Sequence, residues 1–153
     1  MTDLVNFDGL ATAEVNPAVI EASQPWVSLN SSPSSLHPLG GATQSMHTSV
    51  RGKVAERIGC NPSEVIFTSG IAEADNLALK GFAKRTKAVE KSLVVLSTEP
   101  LSTLNCARDI VKHGWVMSTL PVDGEGVVDL GSARKLITST TALVAAHMVN
   151  EET

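Results

Sequence analysis

The stretch Leu93-Val94-Val95-Leu96-Ser97-Thr98-Glu99-Pro100-Leu101-Ser102-Thr103-Leu104 decides the fold class. Four consecutive aliphatic residues, three of them too close to polar punctuation to extend into a long helix, read as a short strand buried on both faces. Ser-Thr-Glu-Pro breaks the run. Leu101, Leu104, Ala107, Ile110 and Val111 then recur at helical spacing, and Trp115 to Leu120 is again β-prone. A buried strand, a helix and a second strand in this order form a βαβ unit, which belongs to a parallel sheet.

Working outward, the alternation continues in both directions. Downstream, Ala133 to Ile137 reads as a helix and Ala142-Leu143-Val144-Ala145-Ala146 as a last apolar strand. Asp123-Gly124-Glu125-Gly126 is a turn. Upstream, Ala74, Leu77, Ala78 and Phe82 form a helical stripe after Thr68-Ser69-Gly70, and Glu64-Val65-Ile66-Phe67 reads as a buried strand entering that turn. Met46, Val50, Val54 and Ile58 mark an amphipathic helix stopped by Gly59 and Pro62. Before it, Ser28 to Gly41 is polar and rich in Ser, Pro and Gly, a long loop by composition. A short helix runs from Pro17 and closes at Pro25. The expected organisation is an N-terminal segment and loop over residues 1–41, then a largely parallel α/β domain over 42–153.

Composition agrees with a globular chain. The 153 residues are 42% hydrophobic and 18% charged, with mean hydropathy +0.10. Twelve basic against sixteen acidic residues leave a formal charge of -4. No stretch concentrates the basic residues, which argues against a nucleic-acid surface, and the apolar runs are too short to span a bilayer. The start, Met1-Thr2-Asp3-Leu4, has neither secretory nor transit character, so a cytoplasmic setting is expected. Two cysteines, Cys60 and Cys106, read as reduced thiols.

Chemistry is sparse. In Phe67-Thr68-Ser69-Gly70-Ile71-Ala72-Glu73, a strand enters a Ser-Gly turn and a helix leaves it, so the free N–H groups of the first helical turn suit a phosphate; an ordinary capped helix start explains the same residues. The histidines, at 37, 47, 113 and 147, show no metal-ligand spacing. Of these His37, in the Ser/Pro loop, is the one whose setting suggests a site. Glu99 reads as a helix-start acid.

Several segments together resemble a known family: Asp8-x-x-Ala11-Thr12, Ser32-Pro33-Ser34-Ser35-x-His37-x-x-Gly40, Glu64 to Gly81, Leu120-Pro121-Val122-Asp123 and Asn150-x-Glu152. In this order they are similar to the N-terminal part of cysteine desulfurases, pyridoxal-phosphate enzymes of the class-V aminotransferase group, over about residues 5 to 153. The resemblance implies a partial class-V aminotransferase large domain, a mostly parallel sheet flanked by helices. It implies pyridoxal 5'-phosphate as cofactor, gripped by the turn Gly70, Ile71 and Ala72 and reached by Asn150 and Glu151. The family reaction moves sulfur from L-cysteine onto an enzyme cysteine as persulfide and releases alanine, with the cofactor held by a lysine.

This chain departs from that pattern at specific positions. Ala72 stands where the family carries a phosphate-binding Thr, Pro100 where a ring-stacking His is usual, and Glu151 where a second Asn is usual. None of the lysines 53, 80, 84, 87, 91, 112 and 135 lies in the family's lysine motif, and neither cysteine matches the nucleophile. The expectation is a desulfurase-like chain, truncated and inactive alone, with no catalytic residue and no metal site of its own. The alternative is a non-catalytic module pairing with a full-length desulfurase; a homodimer is the family's usual state. Half of a parallel sheet also leaves apolar edges exposed, so self-association is expected unless a partner covers them.

Overall fold

The computed structural model describes residues 5, 7, 9, 13–29, 31–87 and 91–150. They fall into two compact units, Met1–Phe67 and Thr68–Thr153. Among the described residues no helix is long and apolar enough to cross a membrane.

The first unit is helical. Helix α1 (Pro17–Val27) starts where Asn16 accepts the Ala18 N–H and Pro17 supplies a ready-made first-turn φ. It runs through Pro25 instead of closing there, and the whole helix is exposed, so water satisfies the carbonyl that Pro25 cannot serve. Helix α2 (Pro38–Ile58) begins earlier than the apolar period suggests. His37 is its N-cap, Nδ1 accepting from the Gly40 N–H at 3.3 Å, so the residues read as the end of a loop are a helix start. A Cβ on Gly40 would lie 2.1 Å from the Ser35 carbonyl oxygen, which only glycine avoids. Gly59, at φ +73, closes the helix.

The expected strand at 64–67 does not form. Glu64 instead accepts from the Asn61 backbone and side-chain amides at 2.7 and 3.0 Å, winding Pro62–Glu64 into a 3-10 turn. Val65 is buried, but Ile66 and Phe67 remain exposed, and no described strand lies alongside to complete a ladder. Arg51 donates to the Val65 carbonyl, and its guanidinium lies 5.3 Å from the Phe67 ring centroid, so a side chain takes the place of a strand neighbour.

The second unit carries the α/β pattern. Residues 71–85 are helical without a break, as α3 (Ile71–Asp75), a π-helical stretch (Asn76–Lys80) and α4 (Gly81–Arg85). β1 (Ser92–Leu96) leads through α5 (Leu101–Val111) to β2 (Val116–Leu120), then through α6 (Leu130–Leu136) to β3 (Thr141–Ala145). All pairings are parallel and the sheet order is β2-β1-β3. β1 is central, which is why its aliphatic run is continuous. Leu93 and Val95 pack with Cys106, Ala107, Ile110 and Leu79 on one face. Val94 and Leu96 pack with Leu120, Ala133 and Leu136 on the other. Helices therefore cover both faces of a parallel sheet, as the alternation of strands and helices in the sequence predicts.

One stripe is rotated from its expected position. Ala74, Leu77, Ala78 and Phe82 are exposed, and Asp75, Leu79 and Ala83 are the residues turned inward. The inward residues follow the expected ones at 74, 78 and 82 by one position each, the same offset before, within and after the π-helical stretch.

Candidate ligand crevice

Strand order reverses at β1: the chain leaves β1 for β2 on one side and returns to β3 on the other. Connections that diverge in this way leave a crevice beyond the carboxyl ends of the strands, where open α/β sheets receive ligands. A cavity of about 930 Å³ opens there. Its floor comes from Ser97, Thr98 and Glu99 after β1 and from Ala146, His147 and Asn150 after β3. Ile71, Ala78 and Leu79 of the helical run supply an apolar wall, and Ser102 and Thr103 begin α5 beside it.

The floor is a connected polar network. Glu99 is 9% exposed, and its Oε1 accepts both the His147 backbone N–H and His147 Nδ1, the latter at 2.8 Å. Asn150 Nδ2 donates to the Thr98 carbonyl at 3.1 Å and lies 3.2 Å from His147 Nε2. The Thr98 hydroxyl oxygen is buried with no hydrogen-bond partner. Beside them, Asp75 Oδ2 accepts from Ser102 Oγ at 3.0 Å and Thr103 Oγ1 at 2.7 Å, tying the helical run to the start of α5.

Of the residues expected at the site, Ile71 and Asn150 line the cavity. Gly70 precedes it as the cap of α3, at φ +151, with open space where a Cβ would stand. Ala72 is exposed and lies off the cavity lining. Glu151 lies outside the described residues. Ile71, Ala72 and Glu73 carry the N–H groups that precede the first helical bond, Ala74 N–H to Gly70 O. Glu73 reaches back to accept from Ser69 N–H and Ser69 Oγ, both at 2.7 Å. These two bonds, the backbone one foremost, hold its carboxyl below the usual range.

Glu99 and His147 were not expected here. Glu99 does not serve the start of α5, which is capped by Pro100; its side chain turns back across the sheet to the β3 exit. The signal was present only in the strand order, since both residues sit just beyond strand carboxyl ends and meet only if β3 lies beside β1.

Neither thiol nor amine of the described residues offers a free nucleophile to the crevice. No lysine, arginine or cysteine is among its lining residues. Cys106 is buried, donates to the Asp75 carbonyl at 3.7 Å, and has its thiol pKa pushed up by burial. Lys80 is paired with Asp109 at 2.9 Å, which raises its ammonium above the ordinary range.

Apolar walls and a polar floor would accommodate a ring with polar substituents. The walls are apolar, and the Thr98 hydroxyl is a buried group still in need of a partner. For a phosphate the chain supplies hydroxyl and backbone N–H donors around Gly70 rather than a cation.

Comparison with known proteins gives a consistent picture. The family profile described as "Aminotransferase class-V" matches residues 5–153. "Cysteine desulfurase IscS 1" of Archaeoglobus fulgidus is 35% identical over 147 residues, 95% of this chain and 38% of the relative. "Cysteine desulfurase, mitochondrial" of Drosophila melanogaster is 34% identical over 147 residues, 95% of this chain and 32% of the relative. Among solved structures, "NIFS-LIKE PROTEIN" superposes with TM-score 0.82 at 30% identity, covering 90% of this chain and 38% of that one. "SspA in complex with cysteine" gives 0.86 at 29% identity, covering 97% and 43%. The chain thus spans roughly a third of the length of the curated relatives it matches.

Proposed function

This chain belongs to the class-V aminotransferase family, whose members depend on pyridoxal phosphate, and on that premise we propose that it forms one wall of the cofactor crevice of a cysteine desulfurase-like protein. The observation that carries the reading is the crevice itself: an apolar-walled cavity with an unpartnered buried hydroxyl, at the switch point of a parallel sheet. Ile71, with the flanking turn residues Gly70 and Ala72, would offer main-chain N–H groups to the phosphate, and Asn150 would offer its side chain to the ring; Glu151, which the family pattern adds to this set, lies outside the described residues. The bound cofactor supplies an electron sink for bond cleavage at the substrate. Ile71 and Leu79 would wall one side of it, and the Thr98 hydroxyl would be available to donate. Cytoplasmic sulfur transfer from L-cysteine is the activity this reading assigns to the complete site.

The 153 residues do not perform that reaction alone, because no lysine or cysteine among the described residues lines the crevice. The test is a pyridoxal phosphate titration of the pure chain, read by visible absorbance, borohydride trapping and alanine release from L-cysteine. Saturable binding weakened at least tenfold by Ile71→Glu, without trapping at a single lysine and without alanine, is the expected result. Absence of saturable binding would overturn the crevice assignment. Alanine release abolished by Cys60→Ser or Cys106→Ser would overturn the inactivity.

A second reading is a non-catalytic module that pairs with a full-length desulfurase. It is favoured by the apolar rim of Ile71, Leu101, Met148 and Val149, all more than half exposed. Co-purification with such an enzyme supports it; a monodisperse monomer in its presence opposes it.

A further inference from the structure

We infer that Glu99 is a positioning residue that locks His147 in its Nδ1–H tautomer and leaves Nε2 as the proton acceptor of the crevice. The inference rests on the crevice being a ligand site and names the group that handles protons within it.

The assignment follows from donor and acceptor accounting. Glu99 Oε1 accepts from His147 Nδ1, so that nitrogen carries a hydrogen. The other nitrogen faces Asn150 Nδ2, whose identity is fixed by a second contact. The same amide nitrogen donates to the Thr98 carbonyl, an obligate acceptor; a flipped amide would set two oxygens against each other. Asn150 Nδ2 therefore donates to both, and His147 Nε2 accepts. In this arrangement the lone pair sits at Nε2.

Glu99 also accepts the backbone N–H of His147 through the same oxygen. One carboxylate thus anchors both main chain and ring of one residue, which fixes the plane as well as the tautomer. The anchor joins two strand exits that lie 48 residues apart in sequence, so the imidazole is held by the sheet rather than by its own loop. His147 is the single aromatic ring among the residues lining the cavity.

A ligand that displaces the Asn150 amide from Nε2 meets an acceptor already oriented. Its donor hydrogen passes to Nε2, the ligand keeps the electron pair of the broken bond, and the imidazolium so formed is balanced by the Glu99 carboxylate. No other reactant is needed.

The experiment is a long-range proton–nitrogen correlation spectrum of the histidine rings in the uniformly nitrogen-15-labelled full chain, with His147 assigned through His147→Gln. The expected spectrum of the unaltered chain shows His147 neutral with Nδ1 protonated. Glu99→Met, which offers no acceptor, loses that tautomer, and Glu99→Gln, whose amide oxygen accepts the same two N–H groups, restores it. Asn150→Ala keeps the tautomer and exposes Nε2, so acylation of His147 by diethyl pyrocarbonate rises several-fold. An Nε2–H tautomer in the unaltered chain, an unchanged tautomer in Glu99→Met, or unchanged acylation in Asn150→Ala would each overturn the proposal. If Glu99→Met does not fold, the unaltered chain and Glu99→Gln still decide. The spectra are taken before any cofactor is added, so failure of pyridoxal phosphate binding counts against the functional reading and not against this one.

Discussion

The Ser69-Gly70 turn and the paired exits of β1 and β3 keep their shapes by different means. The turn is local: Glu73 closes back on Ser69 four residues away, the surroundings are exposed, and Gly70 has open space on its Cβ side. The exits are non-local: Glu99, Thr98, His147 and Asn150 are joined across the sheet by bonds spanning 48 and 52 residues. A local turn keeps its shape through backbone geometry and one solvated acid. A cross-sheet network keeps its shape only while every buried member is satisfied. The turn and the exits should therefore fail to different degrees and for different reasons.

The largest expected effect is at the exits. Glu99→Met removes the acceptor of two His147 bonds and leaves a backbone N–H facing a buried apolar group. A hydrogen bond to a charged acceptor, together with the desolvated donor left behind, costs about 2–3 kcal/mol. The chemical-denaturation midpoint should fall with unchanged slope. A shift no larger than that of an exposed surface substitution would mean that the exits are as loosely held as the turn.

Next comes the turn itself. Gly70→Ala meets no atom within 4 Å, so any loss must come from the backbone at φ +151, a conformation that only glycine adopts without strain. The expected loss is about 1 kcal/mol. Gly41→Ala is the control: it too has nothing within 4 Å, but lies within α2 at no positive φ, and should stabilise by some tenths of a kcal/mol. The same sign for both would show that packing, not backbone conformation, governs the turn.

The same divide explains which parts of the fold can be read from the chain. β1, α5, β2, α6 and β3 follow from Leu93–Leu96 and the helical and β-prone runs after it, because each buries a face whose period is written locally. Ile66 and Phe67 carry an equally strong β signal, yet Glu64 caps back onto Asn61 and Arg51 takes the Val65 carbonyl, so two side chains outcompete a ladder. Phe82 sits at the margin of the packed face, 40% exposed with its ring edge-on to Trp115, because the neighbouring Ala83 takes the core position. That Asn150 and Ile71 line the crevice follows the family pattern, whereas Gly70 precedes it. Glu99 and His147 were not legible, since nothing in either segment states that β3 pairs with β1 rather than with β2.

The smallest effect tests whether the turn's acid is more than a solvated neighbour. Glu73 is fully exposed, and its carboxyl is held below 4.5 by the Ser69 backbone and hydroxyl bonds. A folded-state pKa lower than the unfolded one means that the unfolded chain binds the proton first. The stabilisation is then complete above about pH 4.5 and disappears as pH falls through the lower folded value. Glu73→Gln should accordingly lower thermal stability slightly at neutral pH and flatten the part of the pH profile below 4.5. Added salt should narrow the neutral-pH difference little, because the bonds are short-range and directional rather than long-range Coulomb attraction. A profile unchanged in Glu73→Gln would mean that Gly70 alone shapes the turn and that the first-turn N–H groups face solvent with no acid in attendance. That outcome would widen the contrast with the exits, where each named polar group except the Thr98 hydroxyl already has its partner.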